Sequence, residues 1–378
     1  MERSSGILLH VTCLPGADGI GDIASAYPFI DWLADNLQSV WQVLPLNPPD
    51  SELSPYSSCS SHAGYTGLIS LDLLTDNVFP DNVDLRVSID ECRRSKGDPA
   101  APGRPDQRSA AAWKYSVLAE AADLFSAGHS RFEEFEAWSL DNAEWLDDDA
   151  MFHAISLDQG TADWTHWPAP LRRRDPAAIS LESNRLATLV HRWRFVQWVF
   201  DSQWSAMKRY ANERGLSIMG DVPIYCAHAS VDVWAAQQMF QLADDGMPLA
   251  VAGVPPDYFS ATGQRWGNPL YDWSVHRQEG FKWWVRRVGS ALRRCDLLRL
   301  DHFRALESFW RIPAHDPDAT TGSWVPGPGR AFFDALQVQL GQLPLLVEDL
   351  GTIDEQVRAL RDSYQLPGMC VLQFAFDG

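Results

Sequence analysis

Two short segments carry side chains suited to nucleophilic and acid–base chemistry: Leu298-Arg299-Leu300-Asp301-His302-Phe303-Arg304 and Leu345-Leu346-Val347-Glu348-Asp349-Leu350-Gly351. Alternation along an extended strand places Arg299 and Asp301 on one face. A guanidinium beside a carboxylate keeps it ionised and oriented, as a nucleophile requires. Glu348 closes the next apolar run. Neighbouring strands lie about 4.8 Å apart, so carboxyls on adjacent strand tips can reach the roughly 5–5.5 Å separation of a retaining glycoside-cleaving pair. One then acts as nucleophile and the other as acid, then base.

Such a pair needs a sheet to hold it. Apolar runs of strand length recur at Gly6–Val11, Ser39–Leu46, Leu216–Cys226, Leu297–Phe303, Leu343–Leu350 and Met369–Phe376. Near-continuous apolar runs predict strands buried on both faces, as in a parallel sheet. Their ends carry Asp221, Arg299, Asp301, Glu348 and Asp349. Helical patterns alternate with them at Ser25–Leu37, Arg192–Glu213, Phe281–Arg294 and Arg330–Leu340, with Ser25 as the expected N-cap and Pro28 in the first turn. This alternation predicts an α/β fold, with a TIM-type barrel first among its forms and chemistry at the C-terminal strand ends.

Residues 75–190 break the rhythm with a polar stretch at Lys96–Arg108, amphipathic segments at Ala110–Ser126 and Phe132–Asp141, and the Trp-rich Trp164–Trp167. They are expected to form an inserted helical subdomain between barrel parts at 1–74 and 191–378.

A net charge of −19 over 378 residues disfavours nucleic acid and anionic membranes, while a neutral polysaccharide meets no electrostatic penalty. No signal-peptide pattern and no run of apolar residues long enough to span a bilayer is present. The scattered cysteines form no C-x-x-C pair, so neither zinc nor another metal is expected, and a reduced, cytoplasmic location is the simplest reading. Seventeen tryptophans fit either a Trp-rich core or a sugar binder whose indole faces stack on pyranose rings.

Arg-Leu-Asp-His-Phe-Arg at 299–304 followed by Glu-Asp-Leu-Gly at 348–351 resembles the amylomaltase (disproportionating enzyme) family, the 4-alpha-glucanotransferases of glycoside hydrolase family 77 in the alpha-amylase clan. The resemblance covers nearly the whole chain. It includes Ser5–His10, Gly19–Asp22, Trp41–Leu46, Ser54–Tyr56 and Gly220–Tyr225, and is longest at Val251–Trp273. It implies transfer of alpha-1,4-glucan segments among maltooligosaccharides or starch-like glucans by a retaining double displacement, without a cofactor. It also implies roles. Asp301 attacks the anomeric carbon, and Glu348 is the acid and then the base. Arg299 and His302 brace Asp301 and its sugar, and Tyr56 stacks on that sugar. The loop Gly253–Ser260, with Asp257 and Tyr258, lies over the glucan groove, and Gln264, Trp266 and Asn268 bind glucan near the cleft.

The chain departs from the family pattern in several places. The family carries a third carboxylate in a Thr-His-Asp-Asn-Asp motif on its seventh strand, and this sequence has no such motif up to Gly378. An incomplete barrel of about six strands is therefore expected, truncated at the C-terminus, with a catalytically dead glucan-binding remnant as the alternative to an active transferase. Ala229 stands where the family has a substrate-facing Asp. Cys59 and His62 stand where it prefers Phe, Tyr65-Thr66 where it has Asn-Pro, and Ala305 replaces a Gly. His62 and His228 are read as substitution drift in preference to new catalytic groups.

Overall fold

The computed structural model describes residues 3–50, 52–96, 107–258 and 260–373. By contacts the chain divides into two compact units, one comprising residues 1–55, 62–162 and 173–218, the other 56–61, 163–172 and 219–378.

The first unit is mostly helical. Its two short parallel strands, β1 (Gly6–Leu8) and β2 (Val40–Gln42), pair Ile7 with Trp41. The helix between them runs Ile23–Asp35, not Ser25–Leu37. Asp22, not Ser25, is its N-cap: the Asp22 carboxylate accepts from the Ser25 backbone, and the Ser25 hydroxyl answers the Asp22 N–H. This reciprocal capping starts the helix early, so Pro28 falls in the second turn rather than the first. Lys114, on the helix Gln107–Leu124, is fully buried. Its ammonium lies 3.1 Å from Asp22 Oδ2 and 3.5 Å from Asp18, and donates to the Gly67 and Ile69 carbonyls. Buried charge persists only when compensated in this way. The 27-residue helix Ala187–Glu213 buries Trp193, Phe195, Trp198 and Trp204. Phe125 packs against Phe135, Phe195 and Trp198.

The second unit is built on three parallel strands, β3 (Ser217–Val222, which enters this unit at Met219), β6 (Leu297–Leu300) and β9 (Leu345–Val347), in that order. Four more form an antiparallel sheet: β4 (Ala250–Val254), β5 (Gln264–Pro269), β7 (Ser308–Pro313) and β8 (Ser323–Pro326), in the order β5-β4-β7-β8. Register places Asp221 opposite Arg299 and Arg299 opposite Leu346. Gly220 leaves room for the Cys295 side chain, whose Sγ would lie 2.3 Å from a Cβ there. Helices Lys282–Arg294 and Arg330–Leu340 precede β6 and β9, with Trp284 edge-on to Phe332.

Five of the six expected apolar runs thus contain a parallel strand, each shorter than expected. The sixth differs. Residues 369–373 form no strand, and 374–376 lie outside the described residues, as does most of the polar stretch 96–108. Here the chain is held instead by the end of β9, with Val347 N–H donating to the Pro367 carbonyl and Met369 N–H to Asp349 Oδ1. The tryptophans are largely core: Trp41, Trp164, Trp198, Trp204, Trp234 and Trp284 are all fully buried.

Candidate active site

The second unit gathers its charged strand ends into one connected group. Asp221, near the end of β3, is 6% exposed. Both of its carboxylate oxygens accept from Arg299 Nη1, at 2.9 and 2.7 Å. The other arm of the same guanidinium, Nη2, lies 2.7 Å from Asp301 Oδ1, and the Tyr56 hydroxyl donates to Asp221 Oδ2 at 2.8 Å. Arg299 is therefore a fork between two carboxylates, and Asp221 ties it to Tyr56. The sequence marked Asp221 only as a charged strand end. What makes it part of the site is the β3–β6 register, which sets it level with Arg299.

Glu348 follows β9 directly and is held by backbone donors. Its Oε2 accepts from His302 N–H and its Oε1 from Leu350 N–H, both at 2.9 Å. The chain at this point is also cross-tied, with Phe303 N–H on the Glu348 carbonyl and Glu348 N–H on the Leu300 carbonyl. His302 adopts a left-handed backbone (φ 50), sparsely populated for a non-glycine residue and most often kept where surrounding structure demands it. Its ring meets Trp266 edge-on at 4.8 Å.

Burial sets the electrostatics. It pushes the Asp221 carboxyl up to about 6, Arg299 opposing and Asp301 adding. It raises Asp301 too, against the pull of Arg299. Glu348 is raised by burial and by Asp301, with the Leu350 and His302 N–H groups opposing. His302 is lowered to about 4 by burial, with Arg304 contributing, so its imidazole is neutral near pH 7. The guanidinium thus offsets the burial of Asp301 without cancelling it.

The remaining expected residues spread outward. Trp266 is 38% exposed, and its indole N–H donates to Gln264 Oε1. Asn268 spends its amide N–H on the Cys226 carbonyl, which makes it a strut for that loop. Asp257 closes the turn between β4 and β5 by accepting from Ser260 N–H, while Tyr258 beside it is 98% exposed. Phe259 lies outside the described residues. Asp349 turns away, held by Arg361 at 2.6 Å and by Met369 N–H. His228 bonds the Gly246 carbonyl beside Trp164, and His62 stacks on Trp145. Among the described residues no group of three or more His, Cys, Asp or Glu is placed to hold a metal ion, and no helix is long and apolar enough to cross a membrane.

Two carboxyls on neighbouring strand tips, one forked by arginine and one fixed by two N–H groups, have the parts of a retaining glycosyl-transfer site. The family model for 4-alpha-glucanotransferase matches residues 9–378. The chain belongs to the 4-alpha-glucanotransferase family. It is 44% identical to the 4-alpha-glucanotransferase of Thermus thermophilus, over all of this chain and 73% of that protein. It is likewise 44% identical to that of Synechocystis sp., over all of this chain and 74% of that protein. The fold is similar to an amylomaltase from Streptococcus agalactiae in complex with acarbose, with TM-score 0.92 and 36% identity over 99% of this chain and 74% of that one. The amylomaltase from Corynebacterium glutamicum, 19% identical over 97% of this chain and 50% of that one, shares the fold at TM-score 0.75.

Proposed function

We propose that this chain is a 4-alpha-glucanotransferase that moves alpha-1,4-glucan segments from a donor to an acceptor glucan by a retaining double displacement. The observation that carries it is the pairing of Asp301, forked to Arg299, with Glu348, fixed by His302 and Leu350 N–H groups. Asp301 attacks the anomeric carbon as the glycosidic C1–O4 bond breaks, and Glu348 gives its proton to the departing oxygen. In the second half an acceptor hydroxyl gives its proton to Glu348 as its oxygen bonds to C1, and the Asp301 carboxylate leaves. Tyr56 and Arg299 hold the nucleophile's surroundings, and His302 and Trp266 present a neutral, partly apolar wall to the sugar. Gln264 supports Trp266, Asn268 supports the loop at Cys226, and Asp257 and Tyr258 form an edge that closes over bound glucan. Shielding the intermediate from water favours a sugar acceptor.

The proposal extends to a TIM-type barrel with an inserted helical subdomain at 75–190, to maltooligosaccharides as substrates, to a cytoplasmic location, and to the absence of nucleic-acid or membrane partners. The relatives are named glucanotransferases, which favours this reading over an inactive glucan-binding remnant. Incubation with maltotriose tests it. Glucose together with maltooligosaccharides longer than three units is expected. Shorter sugars alone would make it a hydrolase, and bound but unchanged maltotriose would support the remnant.

The pH dependence of kcat/KM gives a second check. Asp301 must be ionised and Glu348 protonated, and both are raised by burial. A bell is therefore expected, with both limbs above the ordinary carboxylate values of about 3.9 and 4.3. The limbs belong to the coupled pair, and the basic one disappears in Glu348→Gln. A basic limb that survives this replacement argues against Glu348 as the acid.

A further inference from the structure

Arg304 stands outside the chain of contacts joining Tyr56, Asp221, Arg299 and Asp301, yet it is only 6% exposed. Its Nη1 donates to the Thr352 carbonyl at 2.5 Å and to Asp354 Oδ2 at 3.1 Å. Its Nη2 donates to Asp354 Oδ2 at 3.1 Å and to Ser308 Oγ at 3.4 Å. The guanidinium carbon sits 3.9 Å from the Trp324 ring centroid. We propose that Arg304 is a positioning residue that clamps the segment Glu348–Asp354 to the turn His302–Leu306, and so fixes the Glu348 carboxyl for proton transfer. This rests on reading Glu348 as the acid and base.

The Glu348 carboxyl takes its direction from two N–H groups on two different segments, His302 and Leu350. Arg304 lies two residues beyond His302, and Thr352 two residues beyond Leu350. The Arg304 contacts therefore join the two segments just past the two donors. Without that tie the two segments are still joined by the backbone bonds at Phe303 and Glu348, but the direction of the carboxyl is less tightly set. The planar fork matters as well as the charge. A lysine ammonium cannot stack on Trp324 while also bonding Thr352 and Asp354 with guanidinium geometry. Asp354 is itself the N-cap of the helix Glu355–Ser363, accepting from Gln356 and Val357 N–H, so the far end of the clamp is anchored in regular structure.

Two donors separate positioning of the acid from general damage. Maltotriose needs a proton delivered to its leaving oxygen. Alpha-maltosyl fluoride does not: its C1–F bond breaks as Asp301 bonds to C1, and fluoride leaves as the anion. Azide then attacks C1, the Asp301 carboxylate leaves, and no proton has to be removed from the acceptor. Arg304→Ala is expected to lower maltotriose turnover about a hundredfold, the scale of a catalytic group misplaced by a distant change. Azide-supported fluoride release should stay within about threefold of the parent, because it needs no general acid. Glu348→Gln should show the same split, with a loss of about 10²–10⁴-fold on maltotriose. If Arg304→Ala fails to fold, Arg304→Lys is read in its place. Equal losses on both donors, or loss on neither, in the Arg304 variants while Glu348→Gln splits them overturns the clamp. Equal losses in Glu348→Gln itself overturn instead the role given to Glu348.

Discussion

Asp301→Asn abolishes maltotriose disproportionation, with an expected fall on the order of 10⁴-fold or more, because removing a covalent nucleophile closes the double-displacement route itself. The fall appears in both donors, maltotriose and alpha-maltosyl fluoride, since both must form the bond from C1 to Asp301. Stability moves the other way or little. Asp301 is a carboxyl that burial disfavours in its ionised form, and asparagine keeps its shape without the charge. Its partner Arg299 retains Asp221 on its other arm. Folding is followed by thermal melting beside product analysis. A variant that melts like the parent but still makes longer maltooligosaccharides would falsify the nucleophile assignment.

Arg299→Met has the largest expected effect on stability. It leaves a buried Asp221 and a partly buried Asp301 without their shared cation. Breaking a buried ion pair from one side typically costs about 3–5 kcal/mol, because the remaining charge is uncompensated. The sign of the pH dependence follows from the shifts. In the parent, Asp221 already titrates at about 6, above its unfolded value, through burial. A carboxyl raised in the folded state favours folding below its unfolded pKa, and that stability is lost as pH rises through its folded pKa. Removing Arg299 moves this window further up for both carboxyls. The melting-temperature deficit of Arg299→Met should therefore be large at pH 7 and shrink as pH falls toward 5. A deficit that is constant or grows on acidification shows that the two carboxyls do not depend on Arg299 in this way.

Much of this was legible in the linear chain for identifiable reasons. The apolar runs located β3, β6 and β9, although these strands mix buried and half-buried residues and are not buried on both faces as expected, and strand alternation put Arg299 and Asp301 on one face. The helix Arg330–Leu340 matched its expected bounds. Where local reading failed, a specific competing interaction was responsible. Asp22 and Ser25 cap each other, so the first helix starts before Ser25, and the Asp-x-x-Ser spacing was the available signal. After Pro367 the backbone is engaged by Val347 and Asp349, and the apolar residues 369–373 form no strand.

By itself, then, the amino-acid sequence determined the chemistry available: a carboxylate beside an arginine, a second carboxylate one strand on, and a family pattern over nearly the whole length. Only the tertiary structure decided which charged strand ends act together. Asp221 and Asp349 look alike in the sequence, each a carboxylate closing an apolar run. Register sets Asp221 against Arg299 and Tyr56, while Asp349 turns to Arg361. Arg304 is likewise one arginine among many until Thr352, Asp354 and Trp324 surround it. The physical reason is common to both cases. A charge's role depends on its partners and its burial, and both come from residues tens of positions away that meet only when the strands pair.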